Sequence, residues 1–431
     1  MKNRQFNIDI IITLIWLFMA VIAIEYPLNS IIKQHIMFYI PDKISFLIMN
    51  SLCITGGLYL IVKRKSNLVD TAGSLFIIII VSINIFRITP VGPGNILLDI
   101  LKLTGILLNL YFITKIFYLL IVLKDKKINN IITNISLVFY SLICIFFIME
   151  AAFIFIEQLH GSGYSLASQI WYARHFTPVN TEGFRDREFS GRTDKKIIFL
   201  IGDSFVAGQG IKNFEDRFSN ILEKKLNNYS VFNLGVIGLN TRGEFKILSN
   251  IYNNYKPDLI ILSYFCNDIG DITEEAGTVI ERPYTDIKPY MAFVVTRSYL
   301  CNYIYWQFPH SDFVRYEKTM KHIYRNKNII NLHLQDLQKF VDFSNNKSVP
   351  LAVIIFPYMQ DVKGSKIFID PIRDFFKKEK VPVLDISDFT GDIPGEKLVV
   401  SKKDFHPNEY TNKIVADKLY EFLIKNMIIK N

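Results

Sequence analysis

The sequence predicts two parts of different fold class, an α-helical membrane region followed by an α/β domain built on a five-stranded parallel sheet. Two observations support this division. Half of the 431 residues are hydrophobic, and the long apolar runs are concentrated in the first third of the chain. Beyond about residue 196, short apolar runs alternate with amphipathic segments, which is the pattern of strands and helices in an open α/β sheet.

Five apolar runs in the first part are long enough to cross a bilayer as helices. They lie at about 8–26, 44–62, 72–88, 103–123 and 135–156. Lysine and arginine residues precede the first run and follow the second and the fourth, whereas the alternate loops hold fewer. Because positive residues favour the cytoplasmic side, the N-terminus is predicted to be cytoplasmic and the chain after about residue 157 to be extracytoplasmic.

The chain after the membrane region at 1–156 divides into a linker at 157–195, predicted to pack on the following domain, and the α/β domain at 196–431. Strands are predicted at 197–201, 230–234, 258–264, 350–356 and 381–385, and helices at 215–227, 241–254, 327–345, 366–379 and 408–426. An aromatic-rich insertion at 270–326 interrupts this alternation. Such an insertion can shape a site or form a small satellite core, and the sequence leaves both interpretations open.

The first predicted strand is the clearest element of the domain. Five consecutive apolar residues, 197–201, lie between a lysine and Gly202, which is typical of a strand buried on both faces. Ser204 follows at the carboxyl end of this strand, where open α/β sheets place their ligands. The alternative is that Ser204 only caps the next helix.

Three further polar stretches follow strands in the same way. They lie at 233–238, at 267–268 and, after the last predicted strand, at 404–406. Because the carboxyl ends of parallel strands meet at one edge of a sheet, these residues are expected to converge with Ser204.

Together they supply what acyl transfer requires. The Ser204 hydroxyl is a weak nucleophile and needs an adjacent base, for which His406 is the candidate. Asp404 is the candidate carboxylate that orients the base. The oxyanion of the tetrahedral intermediate needs donors, which the Ser204 N–H, the Gly238 N–H and the Asn267 side chain can provide.

The residues of these four stretches, and their order along the chain, resemble the motifs of a known superfamily. The region from about 180 to 425 resembles the SGNH/GDSL hydrolase superfamily, with the nucleophile at Ser204 in the first block. The remaining blocks match at 233–238, 267–268 and 404–406, and the stretches 180–185 and 208–210 are similar to a bacterial subgroup often attached to membrane segments. The resemblance implies a flavodoxin-like three-layer domain, no metal or other cofactor, and esterase or O-acyltransferase chemistry on esters of sugars or lipids.

The sequence departs from the family pattern at two positions. Phe265 stands where the third block usually has glycine, which is expected to narrow the pocket. Lys403 stands where the last block usually has its acid, and Asp404 makes the spacing Asp-x-His instead, as in relatives that acetylate periplasmic polysaccharides.

Several other polar residues are expected to have structural roles. Asp203 and Asp268 are interpreted as turn and cap residues, and Asp385 and Asp388 as loop residues rather than alternative triad acids. Arg185 is expected to form a structural ion pair, with an anion-binding role as the alternative.

The chain is therefore expected to be an enzyme of a bacterial cytoplasmic membrane that acts outside the cytoplasm on acyl, first of all acetyl, esters of cell-envelope glycans. Alternatives are a lipase or lysophospholipase and a catalytically silent scaffold in envelope polysaccharide assembly. The expected partners are the bilayer, a glycan or lipid ester and a membrane protein that donates acyl groups. Although the net charge is +9, no basic stripe with interleaved aromatics predicts nucleic-acid binding.

Overall fold

The computed structural model describes residues 148–160, 165–275, 287–296, 298–308 and 313–429, together with four isolated positions between 138 and 146. The chain divides into two compact units, which are Met1–Ile156 with Ile287–Gln307, and Glu157–Asp286 with Phe308–Asn431. The first four predicted spans and part of the fifth lie outside the described residues. Within the described ranges, no helix combines the length and the hydropathy needed to cross a membrane.

The second unit contains a parallel sheet, as predicted. Its strands are β1 (Lys196–Gly202), β2 (Tyr229–Gly235), β3 (Leu259–Tyr264), β4 (Leu351–Ile355) and β5 (Val383–Asp385). They follow the order β2-β1-β3-β4-β5, and each neighbouring pair is parallel. This is the flavodoxin-like strand order. Every strand end lies within two residues of its predicted position.

The helices from residue 165 onward are α1 (Leu166–His175), α2 (Ser204–Ala207), α3 (Phe218–Lys225), α4 (Thr241–Tyr252), α5 (Gly270–Glu275), α6 (Pro289–Val295), α7 (Tyr299–Gln307), α8 (Phe313–Arg325), α9 (Lys327–Lys347), α10 (Lys366–Lys378), α11 (Ser387–Thr390), α12 (Gly395–Leu398) and α13 (Glu409–Lys425), within the described ranges. Short 3-10 helices occur at Phe214–Asp216, Cys266–Ile269 and Lys363–Ser365. The predicted helix at 215–227 is therefore divided into a 3-10 turn and α3. Helix α1 lies in the segment predicted to be a linker.

The centre of the sheet is buried on both faces, which explains why β1 and β4 are almost entirely apolar. Along β1, Ile198 and Leu200 belong to one core with residues of α3 and α13. Phe199 and Ile201 point to the opposite face and pack with residues of α4, α9 and α10. The period of two along the strand thus divides one apolar run between two cores.

The sequence-based interpretation of the last motif is wrong in one respect. Asp404 and His406 do not follow a strand of the parallel sheet. They lie on β7 (Asp404–Pro407), which pairs antiparallel with β6 (Val399–Ser401) in a separate two-stranded sheet. These strands are too short to give a clear apolar pattern, so the sequence did not reveal them.

Part of the aromatic insertion belongs to the first unit and forms a small core there. Val295, Tyr305 and Trp306 are buried against one another in α6 and α7. The buried Glu150 carboxylate accepts hydrogen bonds from the N–H groups of Tyr299 at 2.9 Å and Leu300 at 3.1 Å. For residues 287–307 these contacts favour the satellite-core interpretation.

Candidate active site

Ser204 begins helix α2, which follows directly after β1. The close approach of α2 to the sheet fixes the position of Ser204. A Cβ at Gly235, the last residue of β2, would lie 2.2 Å from the Ala207 backbone nitrogen. Only glycine therefore lets α2 pack this closely. Asp203 caps the helix by accepting the Phe205 N–H at 2.8 Å, and Ser204 is left 5% exposed. The cap role expected for Asp203 is confirmed.

The structure brings Ser204 together with His406 and Asp404. His406 Nε2 lies 2.9 Å from Ser204 Oγ, and His406 Nδ1 is hydrogen-bonded to Asp404 Oδ1. The His406 backbone N–H also donates to Asp404 Oδ1 at 3.1 Å. One carboxylate oxygen therefore holds both the ring and the backbone of His406. This is the geometry of a nucleophile, a base and an orienting acid.

The electrostatics of the pair suit a base oriented by a carboxylate. Burial alone would lower the pKa of His406, but the charge and hydrogen bond of Asp404 raise that pKa above its ordinary value. Burial would raise the pKa of Asp404, but His406 outweighs it and, with a hydrogen bond from Gln209, keeps the pKa of Asp404 below its ordinary value. Asp404 therefore stays ionised and favours the protonated imidazole that forms when His406 accepts a proton.

The two further predicted oxyanion donors lie on loops after β2 and after β3. Gly238 has a left-handed φ of 75°, and a Cβ there would meet no atom within 4 Å. Open space therefore lies beside this peptide. Asn267 lies in the 3-10 helix Cys266–Ile269, and its Nδ2 donates to Asp203 Oδ2 at 3.3 Å. Because an amide carries two N–H groups, one remains for a substrate oxygen.

Asp203 thus has a function beyond the helix cap that the sequence did not indicate. Its Oδ2 also lies 3.3 Å from Ser204 Oγ, so one carboxylate contacts both Ser204 and Asn267. Burial raises the pKa of Asp203. Burial, followed by the charge of Asp203, also raises the pKa of the fully buried Glu244. Burial, followed by the charges of Glu244 and Asp203, raises the pKa of the buried Asp268.

Among the described residues, neither of the alternative triad acids, Asp385 and Asp388, forms a hydrogen bond with His406. Asp385 ends β5, where it forms an ion pair with Arg373 at 2.9 Å and accepts the Ser387 N–H at 2.9 Å. Asp388 is exposed on α11. Neither residue lies in a loop as expected, because Asp385 ends a strand and Asp388 lies in a short helix.

The expectation of an ion pair at Arg185 is wrong. This residue is 1% exposed, and its guanidinium donates to the backbone carbonyls of Gly208 at 2.6 Å, Ile211 at 2.7 Å and His175 at 2.6 Å. Burial lowers the pKa of Arg185 to about 10. Through these hydrogen bonds Arg185 stabilises the loop after α2, and its buried guanidinium is not placed to bind an anionic substrate group.

Comparison with known families agrees with this geometry. The family described as GDSL-like Lipase/Acylhydrolase matches residues 198–419, which is more than half of the chain. The chain belongs to this family. Its members are ester hydrolases and acylhydrolases, and the match contains all five residues predicted for the site. The comparison with curated proteins found no match to this sequence.

Several solved structures are similar to this GDSL family member. The psychrotrophic esterase EstA from Pseudoalteromonas sp. is 15% identical, with 55% of this chain and 100% of that chain covered and a TM-score of 0.34. A lipolytic protein of the G-D-S-L family from Desulfitobacterium hafniense is 16% identical, with 53% and 100% covered and a TM-score of 0.34. A two-domain esterase active on acetylated mannans is 12% identical, with 54% and 48% covered and a TM-score of 0.30.

In this GDSL family member, Phe265 stands where the family usually has glycine, and this difference changes the wall of the site. The ring of Phe265 stacks on Phe205, with centroids 4.3 Å apart. Phe205 in turn meets the His406 ring edge to face at 5.5 Å. The bulky residue at the usual glycine position therefore extends an aromatic wall from the base toward the Asn267 turn.

Proposed function

We propose that the protein is a serine esterase or O-acyltransferase that works through an acyl-enzyme. The observation that carries this proposal is the row Ser204 Oγ, His406 Nε2 and Asp404, with the first two atoms 2.9 Å apart. A helix-capping serine has no need of a histidine whose other nitrogen is bound to a buried carboxylate.

In the proposed mechanism, Ser204 Oγ attacks the ester carbonyl carbon while His406 Nε2 takes the hydroxyl proton. The tetrahedral oxyanion is stabilised by the Ser204 and Gly238 N–H groups and the Asn267 amide. As the C–O bond to the alcohol breaks, His406 returns its proton to the leaving oxygen, which leaves the acyl group on Ser204. A water molecule or a sugar hydroxyl then attacks the carbonyl carbon of the acyl-enzyme while His406 takes its proton. The bond to Ser204 Oγ breaks, and His406 returns the proton to the serine.

We infer that the acyl group is small, first of all acetyl, and that the alcohol part belongs to a cell-envelope glycan. The support for a small acyl group is the bulk of Phe265, which stands where the family usually has glycine and stacks on Phe205 beside His406. The insertion does not argue for a lipid pocket at 287–307, because Trp306 is buried in a core of the first unit.

The test is hydrolysis of chromogenic acyl esters by the full-length protein in detergent. We expect the kcat/KM for the acetyl ester to exceed that for the octanoyl ester by about tenfold or more, since the bulk of Phe265 should hinder a longer acyl chain. Replacing Phe265 with the usual glycine is the matched variant, and it should reduce this preference. Preference of the unmodified protein for octanoyl esters indicates a lipase, whereas no hydrolysis of any ester indicates a silent scaffold.

A further proposal concerns location. We propose that residues 1–156 form five membrane helices with the N-terminus in the cytoplasm, and that the α/β domain lies outside the cytoplasm. The support is the distribution of basic residues between the apolar runs. A reporter active only outside the cytoplasm should be active when fused after Asn431 and silent when fused after Lys65. The reverse pattern contradicts the proposed orientation and the glycan substrate with it.

A further inference from the structure

Three buried polar side chains outside the motif blocks form a hydrogen-bonded row beside the turn that carries Asn267. Tyr264 ends β3, Tyr324 lies on α8 and His333 on α9. The Tyr264 hydroxyl contacts the Tyr324 hydroxyl and lies 3.0 Å from His333 Nε2. The Tyr324 hydroxyl in turn donates to the Cys266 carbonyl at 2.9 Å.

The protons of this row can be assigned in one direction. Burial lowers the pKa of His333 to about 3, so its ring is neutral and carries one N–H. Nδ1 has no hydrogen-bond partner within the part of the chain that the structure describes, and a buried N–H is rarely left unpaired. The proton therefore lies on Nε2, and each group donates to the next: His333 to Tyr264, Tyr264 to Tyr324, and Tyr324 to Cys266.

The end of this row acts directly on Asn267. The Cys266 carbonyl and the Asn267 N–H belong to the same planar peptide unit. A hydrogen bond to that carbonyl therefore fixes the plane from which the Asn267 side chain projects. At the other end of the 3-10 helix, the Gly270 N–H donates to the Asn267 carbonyl. The turn is thus held on both sides of the asparagine.

We propose that Tyr324, supported by Tyr264 and His333, is a positioning residue for the oxyanion donor Asn267. Through the shared peptide, its hydroxyl keeps Asn267 Nδ2 bonded to Asp203 and leaves the second amide N–H for the oxyanion. This inference rests on the proposed function, because the orientation of Asn267 affects the rate only if that side chain stabilises the oxyanion.

A double-mutant cycle tests the inference in the full-length protein with the chromogenic acetyl ester. Tyr324→Phe should lower kcat about five- to tenfold with KM unchanged, as expected for one hydrogen bond that acts in the transition state. Asn267→Ala alone should lower kcat on the order of a hundred- to a thousand-fold. If Tyr324 acts through Asn267, adding Tyr324→Phe to Asn267→Ala should lower kcat by no more than about twofold.

Two controls separate positioning from stability. Tyr358 is buried in the same apolar cluster as Tyr324, and its hydroxyl has no hydrogen-bond partner among the described residues. Tyr358→Phe should therefore retain the wild-type kcat. If Tyr324→Phe does not fold, a pair of variants at His333 replaces it, in which His333→Gln keeps an N–H donor and should retain activity, while His333→Leu should lower kcat in an Asn267-dependent manner.

The outcomes distinguish this inference from the function on which it rests. If Tyr324→Phe has the wild-type kcat, or if it lowers kcat by the same factor with and without Asn267→Ala, the positioning role of Tyr324 is overturned. Ester hydrolysis by the unmodified protein is not affected by either result. No ester hydrolysis by the unmodified protein, or full activity of Asn267→Ala, overturns the proposed catalytic roles instead.

Discussion

Ser204→Ala is expected to abolish ester hydrolysis by the full-length protein, with kcat reduced by a factor on the order of 10⁵ to 10⁶. The reason is that no other group at the site can form the acyl-enzyme once the hydroxyl facing His406 Nε2 is removed. The measurement is turnover of the chromogenic acetyl ester, together with labelling by a serine-directed phosphonate, which should also be lost. His406→Ala should be nearly as severe, because the hydroxyl then keeps its proton.

The matched control is Ser230→Ala. Ser230 is also a buried serine, at the beginning of β2, and its replacement should retain both turnover and labelling. Adding His406→Ala to Ser204→Ala should cause little further loss, because residues that act as one unit are not additive. Full esterase activity in Ser204→Ala contradicts the entire catalytic proposal.

Asp404→Asn is expected to reduce kcat by about 10³- to 10⁴-fold without loss of the fold. An asparagine keeps the shape of the side chain but favours the wrong tautomer of His406 and removes the charge that stabilises the imidazolium. The measurement is kcat on the acetyl ester together with the melting temperature. Asp385→Asn is the control, because Asp385 is paired with Arg373, and its replacement should affect stability more than rate.

The same variant predicts a change in the pH profile. His406 must be neutral to accept a proton, and the charge of Asp404 raises the pKa of His406 against the effect of burial. Activity of the unmodified protein should therefore be lost as the pH falls through a pKa above the ordinary histidine value of about 6.5. In Asp404→Asn the residual activity should extend to lower pH. If Asp404→Asn retains most activity and Asp385→Asn loses it, the assignment of Asp404 is wrong.

The parallel sheet was predictable because its signal is local. The central strands β1, β3 and β4 are apolar or nearly apolar runs buried on both faces, and their boundaries follow from glycine, proline and charged residues nearby. The position of Ser204 after β1 follows from the same pattern, since ligands lie at the carboxyl ends of parallel strands. The helices α4, α9, α10 and α13 were also predicted close to their observed bounds.

The insertion and the supporting residues were less predictable, because their roles depend on what packs against them. The sequence alone did not decide whether Trp306 lines a cleft or lies in a small core. Only its burial beside Val295 and Tyr305 favours the core. Arg185 was expected to pair with an acid, but its partners are backbone carbonyls, which have no signature in the sequence.

The sequence by itself determined the sheet, the family and the residue types available for acyl transfer, because apolar periodicity and motif order are properties of neighbouring residues. The tertiary structure decided which of them meet. His406 contacts Ser204 across 202 positions of the chain, and Asp404 rather than Asp385 is hydrogen-bonded to its ring, with both residues on β7 of a separate antiparallel pair. The physical reason is that a hydrogen bond depends on distances within about 3 Å, and only the folded chain determines those distances.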